Sequence, residues 1–298
     1  MAELKLDGLG VALVTPFNKD FSIDYESLEK LIDYVIEGGC DYLVALGTTG
    51  EPPTLSLEEK EKLSRFIKIK NAGRIPLIIG IGGNCTEKVV DDIKRLDLNG
   101  YSAILSVTPY YNKPNQEGLF QHYRTISDVS PLPIILYNVP GRTGVNLNAE
   151  TTLRLATYSN KFIGVKEASG NIFQAEEIMR KAPINFKVIS GDDAAIFSLM
   201  RKGACGVISV LANVFPNKVK QLVELCQKQN YMEAEALQDN LLPLISSLFE
   251  DGNPGGVKAL LERMGLIKNI LRLPLVPVKK ETAEKLIKEA ENLHLLND

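Results

Sequence analysis

The 298-residue sequence predicts an α/β fold, a (β/α)8 barrel carrying a C-terminal helical extension. Three observations support this. Short runs rich in Val, Ile and Leu, each bounded by Gly or Pro, recur eight times, as expected for parallel strands buried on both faces. Amphipathic helical stretches alternate with them. Beyond about residue 228 the strand pattern stops and only helical patterns follow. Eight strand–helix units within about 225 residues fit a closed barrel, whose usual size is about 250 residues. A doubly wound open sheet is the alternative, and eight regular repeats favour closure.

The strand candidates, in order, are 9–17 (LGVALVTPF), 42–47 (YLVALG), 76–82 (PLIIGIG), 103–108 (AILSVT), 133–139 (PIILYNV), 162–168 (FIGVKEA), 186–190 (FKVIS) and 206–211 (GVISVL). The first helix opens with Asp24 as N-cap, places Leu28, Leu31, Ile32 and Val35 on one face, and stops at Gly38-Gly39. The second opens with Ser56, has Glu59 three residues on as in a capping box, and stops at Gly73. A short helix, AAIFSLMRKG, precedes the eighth strand. Three further helical patterns, YMEAEALQDNLLPLISSLFE, GGVKALLERMGL and KKETAEKLIKEAENL, make up the extension. The expected division is a catalytic barrel over 1–228 and an extension over 229–298, with no low-complexity linker between them.

Composition excludes several function classes. The chain is 45% hydrophobic and 24% charged, with a formal net charge of −3 and no basic block, which argues against a nucleic-acid surface. No apolar run approaches the roughly 20 residues of a membrane span. The opening MAELKLDGLG lacks the basic start and long apolar stretch of a signal peptide. Cys40, Cys85, Cys205 and Cys226 form no C-x-x-C pair, so reduced thiols and a cytoplasmic setting are expected. With only His122 and His294 and no H-E-x-x-H, no metal is expected. The turn TPFNKD lacks G-x-G-x-x-G, and GIGGN at 80–84 is a partial match only, which weakens a dinucleotide reading; no cofactor is expected.

In such a barrel the C-terminal ends of the strands build the active site. There the sequence places Thr48 and Thr49, Tyr110 and Tyr111, Tyr137 and Arg142, Lys166, Gly191 with Asp192 and Asp193, and Ile208 with Ser209. Lys166 ends an apolar strand, where lysine is rarely buried. An amine among apolar neighbours favours its neutral form, a nucleophile toward carbonyls, and Glu167 alternates to the opposite face. The alternative is a lysine that snorkels from the strand end. Tyr137, on the neighbouring strand, shifts the balance, because its hydroxyl would relay a proton near Lys166; a core tyrosine bonded to backbone is the other reading. Thr48-Thr49-Gly50 suits a substrate carboxylate or is a plain turn. Arg142 suits bidentate carboxylate binding or a surface salt bridge. Asp192 and Asp193 would repel phosphate where many barrels bind it, which favours a carboxylate substrate over a sugar phosphate; they also suit a helix cap.

Six segments in this order, GTTGE, VTPYYNKPNQEG, YNVPGRTG, GVKEASGN, SGDD and GVISVLANV, together resemble the dihydrodipicolinate synthase family, in the N-acetylneuraminate lyase group of Schiff-base aldolases. The likeness runs along essentially the whole chain. It implies that Lys166 condenses with pyruvate and that Thr48, Tyr111 and Tyr137 form a proton relay. Tyr111 would reach into a neighbouring subunit's site. Thr49 would hold the pyruvate carboxylate, Arg142 would draw in the carboxylate of L-aspartate 4-semialdehyde, and the Gly191 and Ile208 carbonyls would line the lysine pocket. It also implies a homotetramer, a dimer of dimers, serving lysine and diaminopimelate synthesis. Lyases of N-acetylneuraminate or 2-keto-3-deoxy sugar acids are the alternative within the group; Arg142 in the PGRTG slot favours the short carboxylate-bearing aldehyde. Feedback-inhibited relatives bind lysine through acidic and histidine side chains. By the same resemblance, Leu57, Lys60 and Lys88 look to stand at those positions, with Asn84 and Tyr110 retained, so inhibition by lysine is expected to be weak or absent.

Overall fold

In the computed structural model, which describes residues 4–296, eight parallel strands close into a barrel in chain order. The strands are β1 (Gly8–Ala12), β2 (Tyr42–Ala45), β3 (Leu77–Gly80), β4 (Ala103–Val107), β5 (Ile134–Asn138), β6 (Phe162–Glu167), β7 (Lys187–Ser190) and β8 (Gly206–Ser209). The helices are α1 (Tyr25–Glu37), α2 (Leu57–Asn71), α3 (Thr86–Arg95), α4 (Gln116–Val129), the short α5 (Pro140–Thr143), α6 (Ala149–Tyr158), α7 (Ile172–Lys181), α8 (Ile196–Arg201), α9 (Pro216–Gln227), α10 (Tyr231–Phe249), α11 (Gly255–Arg263) and α12 (Lys280–Asn292). Pairing of β1 with β8, from Gly8 opposite Gly206 to Val11 opposite Ser209, closes the ring.

The expected helix signals operate as hydrogen bonds. Asp24 accepts from the Ser27 amide at the start of α1, and Leu28, Leu31, Ile32 and Val35 are all buried. Ser56 and Glu59 form the reciprocal capping box of α2. Burying each of the four aliphatic side chains of α1 contributes about 1.5–3 kcal/mol, so α1 is held by its face rather than by its propensity.

Several strands end sooner than their apolar runs. Pairing of β1 stops at Ala12, yet Leu13, Val14 and Phe17 beyond it are buried. Pairing of β8 stops at Ser209, and Leu211–Asn213 winds into a 3-10 turn. Leu13, Val14, Phe17, Leu211 and Ala212 are thus buried outside the ladder, the 3-10 turn by packing against α9, α1 and α11.

Side chains divide between two cores. The larger lies between strands and helices; the smaller fills the barrel and includes Tyr42, Ile78, Ile135, Tyr137, Ile189 and Ile208. Alternation along β6 sends Val165 to the outer core and so turns Lys166 inward. Helix α10 packs on α8 and α9, and α12 closes against α10 and α11.

Candidate active site

The strand ends open into a cavity of about 570 Å³ lined by Thr48, Thr49, Tyr137, Arg142, Lys166 and Gly191, together with Asp192, Asn253 and the α10 residues Leu242, Ile245, Ser246 and Phe249. A second cavity of about 310 Å³ shares Thr48, Tyr137 and Arg142 and extends toward Leu57, Lys60 and Tyr110.

Lys166 is only 5% exposed, so it does not snorkel. Register sets it opposite Tyr137 on β5 and Ile189 on β7. Its Nζ lies 4.4 Å from the Tyr137 ring centroid, and it forms no ion pair among the described residues. The end of β6 is fixed from behind. Glu167, buried on the opposite face, accepts from the Asn138 amide (3.1 and 3.2 Å), the Gln174 amide (3.0 Å) and the Ser169 N–H (2.7 Å). The strand therefore cannot slide or rotate without breaking a buried carboxylate's bonds.

Gly191 makes room for the lysine. A Cβ there would stand 2.7 Å from the Ala168 Cβ and 3.1 Å from the Lys166 Cε. Asn138 also closes the loop that bears Arg142: its amide donates to Asn146 Oδ1 (2.8 Å) and its oxygen accepts from the Leu147 N–H (2.9 Å). Arg142 itself sits exposed on α5, facing the cavity mouth.

Thr48–Gly50 is a 3-10 turn with Thr49 buried. Thr15 Oγ1 donates to the Gly50 carbonyl (2.7 Å), and Asn253 Nδ2 donates to Thr49 Oγ1 (3.1 Å). The two acids after β7 have different jobs. Asp192 caps the following turn, accepting from the Ala194 N–H. Asp193 is buried, and its Oδ2 accepts from the Val210 and Leu211 N–H groups (both 3.0 Å), pinning the loop after β8. Burial pushes its carboxyl above the usual range, against those hydrogen bonds.

Six of the eight expected site residues thus share one cavity. Ile208 lies in the barrel interior with Tyr137 and Ile189, 1% exposed. Tyr111 is outside both cavities, 89% exposed, with φ of 72°. Asn253 went unrecognised in the sequence, since nothing local in the extension signals a contact with Thr49.

The sequence profile of the Dihydrodipicolinate synthetase family matches residues 5–293. The chain belongs to this family. Among other members of the dihydrodipicolinate synthetase family, the 4-hydroxy-tetrahydrodipicolinate synthase of Parabacteroides distasonis is 53% identical over 286 residues, covering 96% of each chain. The crystal structure of dihydrodipicolinate synthase from Thermotoga maritima superposes with a TM-score of 0.95 at 43% identity, covering 97% of this chain and 99% of that one. The chloride-inhibited dihydrodipicolinate synthase of Acinetobacter baumannii, crystallised with pyruvate, superposes with a TM-score of 0.94 at 40% identity, covering 98% and 100%. The dihydrodipicolinate synthetase barrel seen in these relatives is the barrel described above, and among the described residues no helix is long and apolar enough to cross a membrane.

Proposed function

We propose that this chain is a lyase that condenses pyruvate with L-aspartate 4-semialdehyde through a Schiff base on Lys166, giving 4-hydroxy-tetrahydrodipicolinate. The observation that carries the reading is a buried amine on the Tyr137 ring, with two threonines and an arginine lining the same cavity. Lys166 Nζ attacks the C2 carbonyl of pyruvate, and the carbinolamine loses water to give an imine. Tyr137 and Thr48, with Tyr111, move the protons of those steps. Loss of a C3 proton gives the enamine, whose carbon bonds to the aldehyde carbon of the second substrate while the aldehyde oxygen takes a proton. The substrate's own amine then displaces Lys166 Nζ from C2, closing the ring and freeing the enzyme. Thr49 and the turn amides hold the pyruvate carboxylate, and Arg142 holds that of the semialdehyde. The coupled assay tests this. Turnover of pyruvate with aspartate semialdehyde should exceed cleavage of N-acetylneuraminate; the reverse order would refute it.

Gly191→Ala should leave folding intact and raise the pyruvate concentration for half-maximal rate at least about tenfold, because the added methyl intrudes on Ala168 and the Lys166 chain. Steady-state kinetics beside a thermal melt checks this.

The working enzyme is proposed to be a cytoplasmic homotetramer with barrel 1–228 and extension 229–298. Exposure of Tyr111 on a left-handed backbone supports its delivery to a second copy's cavity. Light scattering should give the tetramer, and Tyr111→Phe should lose most of its activity without losing the assembly. Lysine should not inhibit below the millimolar range. Lys60 borders the smaller cavity and Lys88 is exposed on α3, and both would repel its ammonium groups. An inhibition constant in the micromolar range would contradict that.

A further inference from the structure

The extension holds a second buried lysine. Lys258 on α11 and Glu51 form an ion pair in which both side chains are 0% exposed. Glu51 follows the Thr48–Gly50 turn directly, with φ of 55°; Leu46, on the other side of the turn, also has φ of 55°. A turn flanked by two side-chain-bearing residues in the left-handed region keeps its shape only where its surroundings over-determine it.

The surroundings that do so come largely from the extension. Lys258 Nζ donates to Glu51 Oε1 and to the Ile270 carbonyl (2.9 Å), and lies 4.4 Å from the Phe17 ring centroid. The Arg272 N–H reaches Glu51 Oε2 (3.3 Å), while its guanidinium binds the Glu59 carboxylate and the Thr54 and Phe21 carbonyls. Asn253 supplies the bond to Thr49 Oγ1. Glu51 is thus held by both of its oxygens, each from a different residue of the extension. Burial lowers the Lys258 ammonium to about 8, against the pull of Glu51. A buried ion pair is a poor source of stability compared with apolar packing, but it fixes direction.

We propose that Lys258 is a positioning residue which, through Glu51, sets the Thr48 and Thr49 hydroxyls for the pyruvate bound at Lys166. The extension is then part of the catalytic device rather than a cover. The inference rests on the pyruvate-handling roles of Thr48 and Thr49 proposed above.

Lys258→Met and Glu51→Asp test it. The first removes the buried cation; the second keeps both charges and shortens the reach by one methylene. In each folded variant, borohydride trapping of pyruvate on Lys166 should need at least about tenfold more pyruvate for half-maximal yield, and kcat should fall at least about tenfold. The KM for the semialdehyde should stay within about twofold, because Arg142 stands on a different loop. Variants that melt at lower temperature but trap pyruvate at the wild-type concentration would overturn the proposal, leaving the pair a purely structural one. If Lys258→Met does not fold, Glu51→Asp decides by the same criterion. Failure of the wild-type protein to trap pyruvate on Lys166 would instead overturn the underlying reading of the site.

Discussion

Replacing Lys166 with methionine should abolish covalent capture of pyruvate and lower turnover by at least about 10³-fold, with the thermal unfolding temperature unchanged or slightly raised. The amine is the only group in the proposed chemistry that forms a bond to substrate. Removing it leaves no route to the enamine, and no neighbouring lysine lines the same cavity. Stability should hold because Lys166 is 5% exposed and forms no ion pair among the described residues, so the substitution strands no partner charge. Methionine matches its length and packs well beside an aromatic ring. Lys258→Met is the informative contrast, since it leaves Glu51 buried without its ion-pair partner, and breaking a buried pair costs about 3–5 kcal/mol. Turnover measured beside a calorimetric scan separates the two lysines.

The second large effect belongs to Tyr137→Phe. The ring stays and so does the contact with Lys166, while the hydroxyl proposed to move protons is lost. Turnover should fall about 10²–10⁴-fold, the range for one general acid–base group. Lys166 keeps its nucleophile and its pocket, so borohydride should still trap pyruvate to full yield, though more slowly. The time course of trapping, read by mass spectrometry, distinguishes this from Lys166→Met, which gives no adduct at any time. Full-rate trapping with wild-type turnover would remove Tyr137 from the mechanism.

The parts of the molecule that were legible in the sequence are those whose cause is local. A run of β-branched residues between Gly and Pro marks a strand buried on both faces. Asp24 and the Ser56–Glu59 box mark helix starts because each side chain bonds an amide within three residues. Lys166 was visible because a charge terminating an apolar run contradicts its surroundings, and its pairing with Tyr137 followed from strand order alone.

What escaped depends on contacts made by the closed barrel. The true end of β1 was hidden because Leu13, Val14 and Phe17, buried beyond it, are as apolar there as they would be on a ladder. Asp192 and Asp193 look equivalent in sequence, yet one caps a turn and the other is buried against the loop after β8. Asn253 and Lys258 act on Thr49 and Glu51 across sequence separations of 204 and 207 residues. Nothing near a helical VKALL suggests that its lysine is fully buried, since lysines on helices normally face water.

The most direct measurement is to incubate the native protein with pyruvate, reduce with borohydride and map the tryptic peptides. The predicted result is a single adduct on Lys166, seen as a peptide spanning 162–180 in which cleavage after residue 166 has failed. An adduct on any other lysine, or full turnover with no adduct at all, would contradict it.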